Sequence, residues 1–378
     1  MSKSKKPETK EEQGELLATD VLSALNKQFK NDFNNPMTFL ADASLVEDWI
    51  STGVDELDLA ISNRPNGGIP CGCITEIFGE KGSSKSLLGV EIMANCQKMG
   101  GLPVLFDTEN AVGMLEFFEA IGLDPKKTLY TDKLRCLEDV YAAVESIITQ
   151  SIEKNSDKPL VIVVDSVMGA TTRLELESDY DKEGWATSKA IINSKAMRKF
   201  PSLIAGRKIA IVLINQVRDN LGAMPGSPQT RTSGGRGIAF TASVRLETKV
   251  VSRSAKNQDG ETIEVKIEKN RFGPPRKKVR FDVYYDSGVD NYGSWFNMLK
   301  EFGLLKSAGS LGWAYDFVNP ETAELTTLKF KEEDFKKLLE SKPELKQTVY
   351  RQICDNYIMK YKDYEGSNQD EEQQLETT

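Results

Sequence analysis

Apolar positions along the chain fall into two periodicities that alternate. Runs of four to seven β-branched and apolar residues occur at Ile74–Phe78, Val104–Asp107, Thr128–Thr131, Leu160–Asp165, Ile209–Asn215, Val244–Lys249, Glu264–Glu268 and Val279–Tyr285, and each predicts a strand. Between the earlier ones, apolar residues recur at helical spacing over Ser86–Lys98, Met114–Ala120, Glu138–Ile152 and Thr187–Leu203. Buried strands separated by helices predict an α/β fold with a mostly parallel sheet covered on both faces. The later strands, with no helices between them, predict antiparallel additions. Ahead of this core, Leu17, Val21, Leu25, Phe29 and Phe33 mark one stripe of a helix, followed by a strand-like run Met37–Leu40. Such a helix-strand arm covers its stripe either on its own core or on a second copy of the chain.

Length and composition narrow the class. A chain of 378 residues, 39% hydrophobic, has room for one large α/β unit and smaller flanking ones. No apolar run reaches membrane-spanning length, and Met1–Glu12 is charged without an apolar core, so the expectation is a cytoplasmic protein with no membrane partner. Five scattered cysteines argue against a disulfide framework, and Cys71 and Cys73 read as small residues at a strand start. The chain has no histidine, which removes Ser-His-Asp and Cys-His chemistry and leaves acid and base work to carboxylates, lysines or a metal. Net charge is −8, but its distribution is uneven: residues 362–378 form an acidic tail, whereas Lys266–Arg280 holds seven basic residues against Glu268 and predicts a surface for a polyanion.

Candidate chemistry sits at the predicted strand ends, where α/β sheets bind ligands. Gly79-Glu80-Lys81-Gly82-Ser83-Ser84-Lys85-Ser86-Leu87 joins a strand to a helix and resembles a phosphate-binding loop, G-x-x-x-x-G-K-[ST], with Ser84 where the second glycine is called for. In that role Lys85 reaches the β- and γ-phosphates and Ser86 sits on Mg²⁺; the alternative is an ordinary strand-to-helix loop. Asp165 ends a buried strand, as a carboxylate that orders the metal or as a turn cap. Glu109 follows a neighbouring strand and can orient an attacking water or be a surface glutamate. Gln216 ends a third, as a phosphate contact or a turn former. Two long polar excursions follow, Thr171–Gly184 with Arg173, and Arg218–Gly237 with Arg231 and Arg236. Loops of that length in a compact unit are usually functional.

Taken together, these motifs resemble the RecA-type DNA strand-exchange recombinases, including the phage UvsX branch. The residues that carry the resemblance are Ile50–Ala60, Ile74–Gly79, Val163–Val167, Ser194–Lys199, Ile214–Arg218, Ser233–Gly235, Phe240–Leu246 and Glu268–Arg271, in the family's order. The resemblance implies a RecA-like P-loop ATPase core over 50–289, an N-terminal tip and oligomerisation arm over 1–49, a small α+β C-terminal domain over 290–360 with Trp295, Phe296 and Trp313 in its core, and an acidic tail over 361–378. It implies a DNA-dependent ATPase using ATP and Mg²⁺, a helical homo-oligomeric filament on single-stranded DNA, and pairing with double-stranded DNA. A loading mediator and a single-stranded-DNA-binding protein are further partners it allows for.

Carried onto this chain, the family's pattern has Lys85, Ser86, Asp165, Glu109 and Gln216 act from one subunit, with Lys269 and Arg271 reaching in from the next. Phe117 stands near the family's adenine-stacking tyrosine. DNA contacts fall to Arg173, Trp185, Ser194, Arg198, Arg218, Met224, Arg231, Gly234, Gly235 and Arg236, and protomer docking to Leu25, Phe29 and Phe240. The second loop has Pro225 beside Met224 in place of the usual phenylalanine. The competing reading is a non-hydrolysing DNA-coating or mediator protein; a RecA-fold helicase or clock ATPase fits the arm and paired loops less well.

Overall fold

The structure is a computed structural model that describes residues 10–28, 38, 46–109, 115–178, 185–219, 230–232, 234–253, 259–286, 288–318 and 324–360. It forms two units divided between residues 47 and 48. The first contains α1 (Lys10–Gln28), on which Leu17 and Val21 are exposed and Leu25 is half-buried. Phe29 and the run expected at 37–40 lie outside the described residues, apart from an exposed Thr38 in no regular element.

The second unit opens with a short antiparallel pair, β1 (Trp49–Ile50) and β2 (Ile69–Pro70), around α2 (Asp55–Ser62). Then come β3 (Ile74–Gly79), α3 (Lys85–Lys98), β4 (Leu102–Asp107), α4 (Leu115–Ile121), β5 (Leu129–Thr131), α5 (Leu137–Glu153), β6 (Leu160–Asp165), α6 (Arg173–Glu177), α7 (Trp185–Ile204), β7 (Ile209–Asp219), β8 (Thr230–Thr232), α8 (Gly237–Thr241), β9 (Val244–Ser252), β10 (Gly260–Asn270), β11 (Lys278–Tyr284) and β12 (Gly288–Val289). Nine of these strands lie in the order β12-β11-β10-β9-β3-β7-β6-β4-β5, with β8 paired to β7. From β9 through β3, β7, β6 and β4 to β5 the pairs are parallel; β9, β10, β11 and β12 pair antiparallel. This is the α/β sheet that the alternation of patterns predicts, with the antiparallel additions where helices stop intervening.

Each face of the parallel half is covered because its strands are apolar on both sides. Val140, Val144 and Ile148 of α5 and Met197, Phe200 and Ile204 of α7 pack on Phe106, Ile162, Val164, Ile211 and Leu213. On the opposite face α3 approaches so closely that a Cβ on Gly89 would stand 3.0 Å from Ile214 Cδ1. Beyond β12, a second apolar cluster joins α9 (Asn291–Glu301), β13 (Leu305–Ser307), β14 (Trp313–Val318), β15 (Leu325–Phe330), α10 (Phe335–Ser341) and α11 (Pro343–Tyr357). Trp295 and Phe296 are buried in it, Trp313 packs against it, and Leu59 of α2 belongs to it.

Both polar excursions contain more regular structure than their composition suggests. The first begins as α6, started by a capping box in which the Thr172 side chain accepts from Glu175 N–H and the Glu175 carboxylate accepts from Thr172 N–H. In the second, β7 runs on to Asp219 and pairs with β8, making a two-stranded ribbon with Arg218 opposite Arg231. Three of the seven basic residues in the stretch 266–280 are paired with acids. Lys266 pairs with Glu268 and Glu247, and Lys278 and Arg280 pair with Glu264, because acids on β9 and β10 stand beside the basic residues in the antiparallel register. Among the described residues no helix is long and apolar enough to cross a membrane.

Candidate nucleotide and DNA site

Four strand ends of the parallel half converge on the turn between β3 and α3. Gly79 ends β3 against β9 so tightly that a Cβ there would meet the Thr248 carbonyl oxygen at 2.3 Å. Ser83 Oγ donates to the Glu80 carbonyl (2.8 Å) and shares a hydrogen bond with Thr248 Oγ1 (2.7 Å), so β9 holds the loop from behind. Gly82 and Ser84 both take left-handed backbone, with φ +75° and +59°, which curls successive N–H groups inward ahead of α3. Lys85 is buried, and its Nζ donates to the Glu80 carbonyl at 2.5 Å. Burial pulls its pKa below the usual lysine value, while Asp165, Glu109 and Glu80 pull it back.

Ser86 Oγ donates to Asp165 Oδ2 at 2.6 Å, bringing together the loop hydroxyl and the carboxylate that ends β6. Burial pushes the Asp165 carboxyl up to about 6, with Glu109 and Asp107 adding to the rise and Ser86 and Lys85 opposing it. One hydroxyl and one carboxylate are hard oxygen donors of the kind that suit a Mg²⁺ ion retaining water and phosphate ligands. Among the described residues no cluster of three acidic, histidine or cysteine side chains offers a dedicated metal cage.

Beside this pair, Glu109 Oε1 accepts from Gln216 Nε2 at 2.7 Å and from Ser166 Oγ. The carboxylate and the amide, expected from separate strand ends, are thus hydrogen-bonded, and Glu109 is near enough to the loop lysine to raise its pKa. Glu109 is aimed by its neighbourhood: its N–H donates to Asp107 Oδ1 (3.2 Å), and Thr108 Oγ1 donates to the Ser166 carbonyl (2.6 Å).

Outside the loop, a cleft of about 700 Å³ is lined by Gly82–Leu87, Phe117 of α4, and Tyr284, Tyr285, Asp286 and Gly288 at the turn between β11 and β12. Phe117 is 44% exposed there and Tyr285 69%. Phe117, the residue expected beside an adenine, lines this cleft. Tyr284 and Tyr285 are missed by the sequence reading, since nothing local links residue 285 to residue 82. Thr248 is missed for the same reason, whereas Asp107 and Ser166 sit beside Glu109 and Asp165 in sequence but carry no motif of their own.

The remaining expected residues are spread over two regions. Ser194 and Arg198 lie one turn apart on α7, Arg198 exposed and Ser194 Oγ donating back to the Ala190 carbonyl (2.8 Å). Gly234 and Gly235, with φ +85° and +86°, turn the chain against that helix, and Arg236 is exposed beside them. Arg173 is ion-paired with Asp139 of α5. Trp185 starts α7, and Arg218 and Arg231 lie in the ribbon; their side chains, and Met224 altogether, fall outside the described residues. On the antiparallel half, Phe240 is 70% exposed, Arg271 is exposed just beyond β10, and Lys269 Nζ donates to the carbonyls of Ala239 (3.2 Å) and Phe240 (2.7 Å). Lys269 and Arg271 are not near the Lys85 group through any bond within the described chain.

Comparison with known proteins agrees with this geometry. The RecA N-terminal domain model matches residues 18–290. Protein RecA of Chlorobium chlorochromatii is 31% identical over 335 residues, covering 88% of each chain. Protein RecA of Geobacter sulfurreducens is 32% identical over 293 residues (77% of this chain, 82% of the relative), and that of Saccharopolyspora erythraea 32% over 263 residues (69% and 72%). These relatives are bacterial and lend no support to the phage UvsX-like branch. With the family model matched over residues 18–290 and a relative 31% identical over 88% of each chain, the chain belongs to the RecA family of recombinases.

Proposed function

We propose that the protein is a DNA-dependent ATPase that assembles as a helical filament on single-stranded DNA and catalyses homologous pairing and strand exchange. The observation that carries the reading is the Gln216–Glu109 hydrogen bond. Glu109 is the base candidate beside Lys85 and Asp165, and Gln216 lies three residues before the end of the strand that becomes the DNA-side ribbon. A group that feels the γ-phosphate is thus wired directly to a loop with basic residues.

In this reading Glu109 orients the attacking water and takes its proton, with Gln216 and Ser166 fixing the carboxylate. Lys85 exchanges its carbonyl partner for phosphate oxygens. Ser86 and Asp165 would hold Mg²⁺, which would supply positive charge to the transferred phosphoryl group. Phe117 and Tyr285 flank the base in the cleft outside the loop. Lys269 and Arg271 serve the neighbouring protomer's γ-phosphate, and Phe240, Leu25 and Phe29 dock that protomer. Single-stranded DNA lies along Ser194, Arg198, Gly234, Gly235 and Arg236, with Trp185, Arg218, Met224 and Arg231 on the loops. Arg173, already paired with Asp139, is the weakest member of this set. Residues 50–289 are assigned to the ATPase and DNA-binding core and 290–360 to a small C-terminal domain.

The held geometry of Glu109 favours turnover over the non-hydrolysing alternative. The test is ATP hydrolysis with and without single-stranded DNA, together with D-loop formation. Glu109→Gln is expected to lower kcat by at least about 10²-fold with ATP binding kept, and Lys85→Ala to lose ATP binding. ATP binding without DNA-stimulated hydrolysis or strand exchange in the wild type overturns the proposal.

A further inference from the structure

The ribbon formed by β7 and β8 leaves the sheet after Gln216, and the chain comes back from it at Gly234, against α7. Its outgoing end is tied to Glu109 through Gln216. Its returning end is tied to a residue with no assigned role, Asn193 of α7, which is 0% exposed. Asn193 Nδ2 donates to the Gly234 carbonyl at 2.8 Å, and Asn193 Oδ1 accepts from Tyr141 Oη of α5 at 2.7 Å. The amide can sit only one way round: a peptide carbonyl accepts and never donates, so the nitrogen must face Gly234.

This polar group stands among apolar ones. Ala196, Met197 and Phe200 follow on the same helix, and Tyr141 packs edge-on to Phe200 with ring centroids 5.5 Å apart. An apolar side chain would fill such a place at less cost, because a buried amide is tolerated only when its hydrogen bonds are made. The contact is also close: a Cβ on Gly234 would stand 2.3 Å from Asn193 Nδ2, and one on Gly235 would stand 2.8 Å from Ala190 Cβ, one turn earlier on α7. Both glycines carry positive φ, so the turn is shaped to that helix face. Ser194, next in sequence, belongs to the same helix, which itself follows the first polar excursion.

We infer that Asn193 is a positioning residue, fixed by Tyr141, that clamps the returning end of the ribbon to α7 so that a change at Gln216 is converted into a change of the DNA-binding surface. The inference rests on the recombinase reading above. With both ends of the ribbon held, displacement of Gln216 must reshape the ribbon against a fixed point at Gly234. With the second end loose, the same displacement is absorbed by the turn.

The test measures, for the full chain, binding of a fluorescent oligothymidine with and without adenosine 5′-(γ-thio)triphosphate, and the DNA-free ATPase. The quantity of interest is the ratio of the two DNA dissociation constants. Asn193→Leu is expected to reduce that ratio about tenfold while nucleotide-free DNA binding and the DNA-free ATPase stay within about twofold. Tyr141→Phe keeps the ring packing and removes only the hydroxyl that fixes the amide. Its ratio is expected to fall about threefold, and it decides the matter if Asn193→Leu does not fold. Wild-type ratios in the folded variants overturn the inference alone, as does a parallel loss of DNA binding in both nucleotide states, which is what a purely structural role would give. A wild type whose DNA binding ignores the nucleotide overturns the recombinase reading and this inference with it.

Discussion

Ser84 stands at φ +59°, in backbone that glycine enters freely and that costs other residues about 1–2 kcal/mol. Because the serine already adopts the curl the loop requires, the missing glycine is a small energetic matter rather than a lost function. Ser84→Gly is therefore expected to change ATP affinity by less than about twofold, and Ser84→Val, whose branched Cβ resists this backbone, to weaken it more than about tenfold. A fluorescent-nucleotide titration distinguishes them; equal effects of the two substitutions would count against the argument. Gly79 is the opposite case. Its backbone angle is unexceptional, but a methyl group there meets a carbonyl of the adjacent strand. Gly79→Ala is expected to cost about 1–3 kcal/mol in urea unfolding, since the clash is with backbone that cannot rotate away.

At the scale of elements, the middle of the sheet is stitched by one buried carboxylate. Glu76 of β3 accepts from Arg245 Nε of β9 (2.5 Å) and from Asn215 Nδ2 of β7 (3.1 Å), and the Arg245 guanidinium lies 4.5 Å from the Phe78 ring centroid. Removing one partner leaves a charge stranded in the core, so Arg245→Ala is expected to cost about 3–5 kcal/mol, measurable by chemical denaturation. Glu76→Gln together with Arg245→Met should cost much less than the single change. None of this was readable in the sequence, where Glu76 is one polar residue inside an apolar run. What was readable lies within single stretches of chain: the loop from Gly79 to Ser86, the strand-end acids Glu109 and Asp165, and the period that separates strand from helix. Tyr285, Thr248 and Asn193 escaped because residues distant in sequence give them their meaning. The ribbon escaped because Arg218–Thr232, rich in glycine, proline and polar residues, carries no alternation to mark β8.

On the scale of the whole molecule, Glu56 of α2 lies among Glu301 of α9, Lys277 ahead of β11, and Tyr357 of α11, a meeting point of the sheet and the C-terminal cluster. Burial pushes its carboxyl up to about 7, Glu301 adds to the rise and Lys277 opposes it. The folded chain thus holds this proton more tightly than the unfolded chain, whose glutamate titrates near 4.5. The resulting contribution is fully present below pH 4.5 and is lost as pH rises through about 7. Glu56→Gln is expected to stabilise the protein at pH 8 by about 1–3 kcal/mol and to leave stability at pH 4 unchanged, by urea denaturation at both values. A gain at both pH values would sink the assignment. The sheet that meets this cluster changes character at β9, parallel on one side and antiparallel on the other. That seam also divides the fold in time. Strands β9 to β11 are neighbours in sequence and can pair as soon as short loops close, whereas β3 must find β7 and β9 across long stretches of chain. Pulse-labelled hydrogen exchange during refolding is expected to protect amides of β10 and β11 before those of β3, so the platform for β3 forms before the phosphate loop it carries.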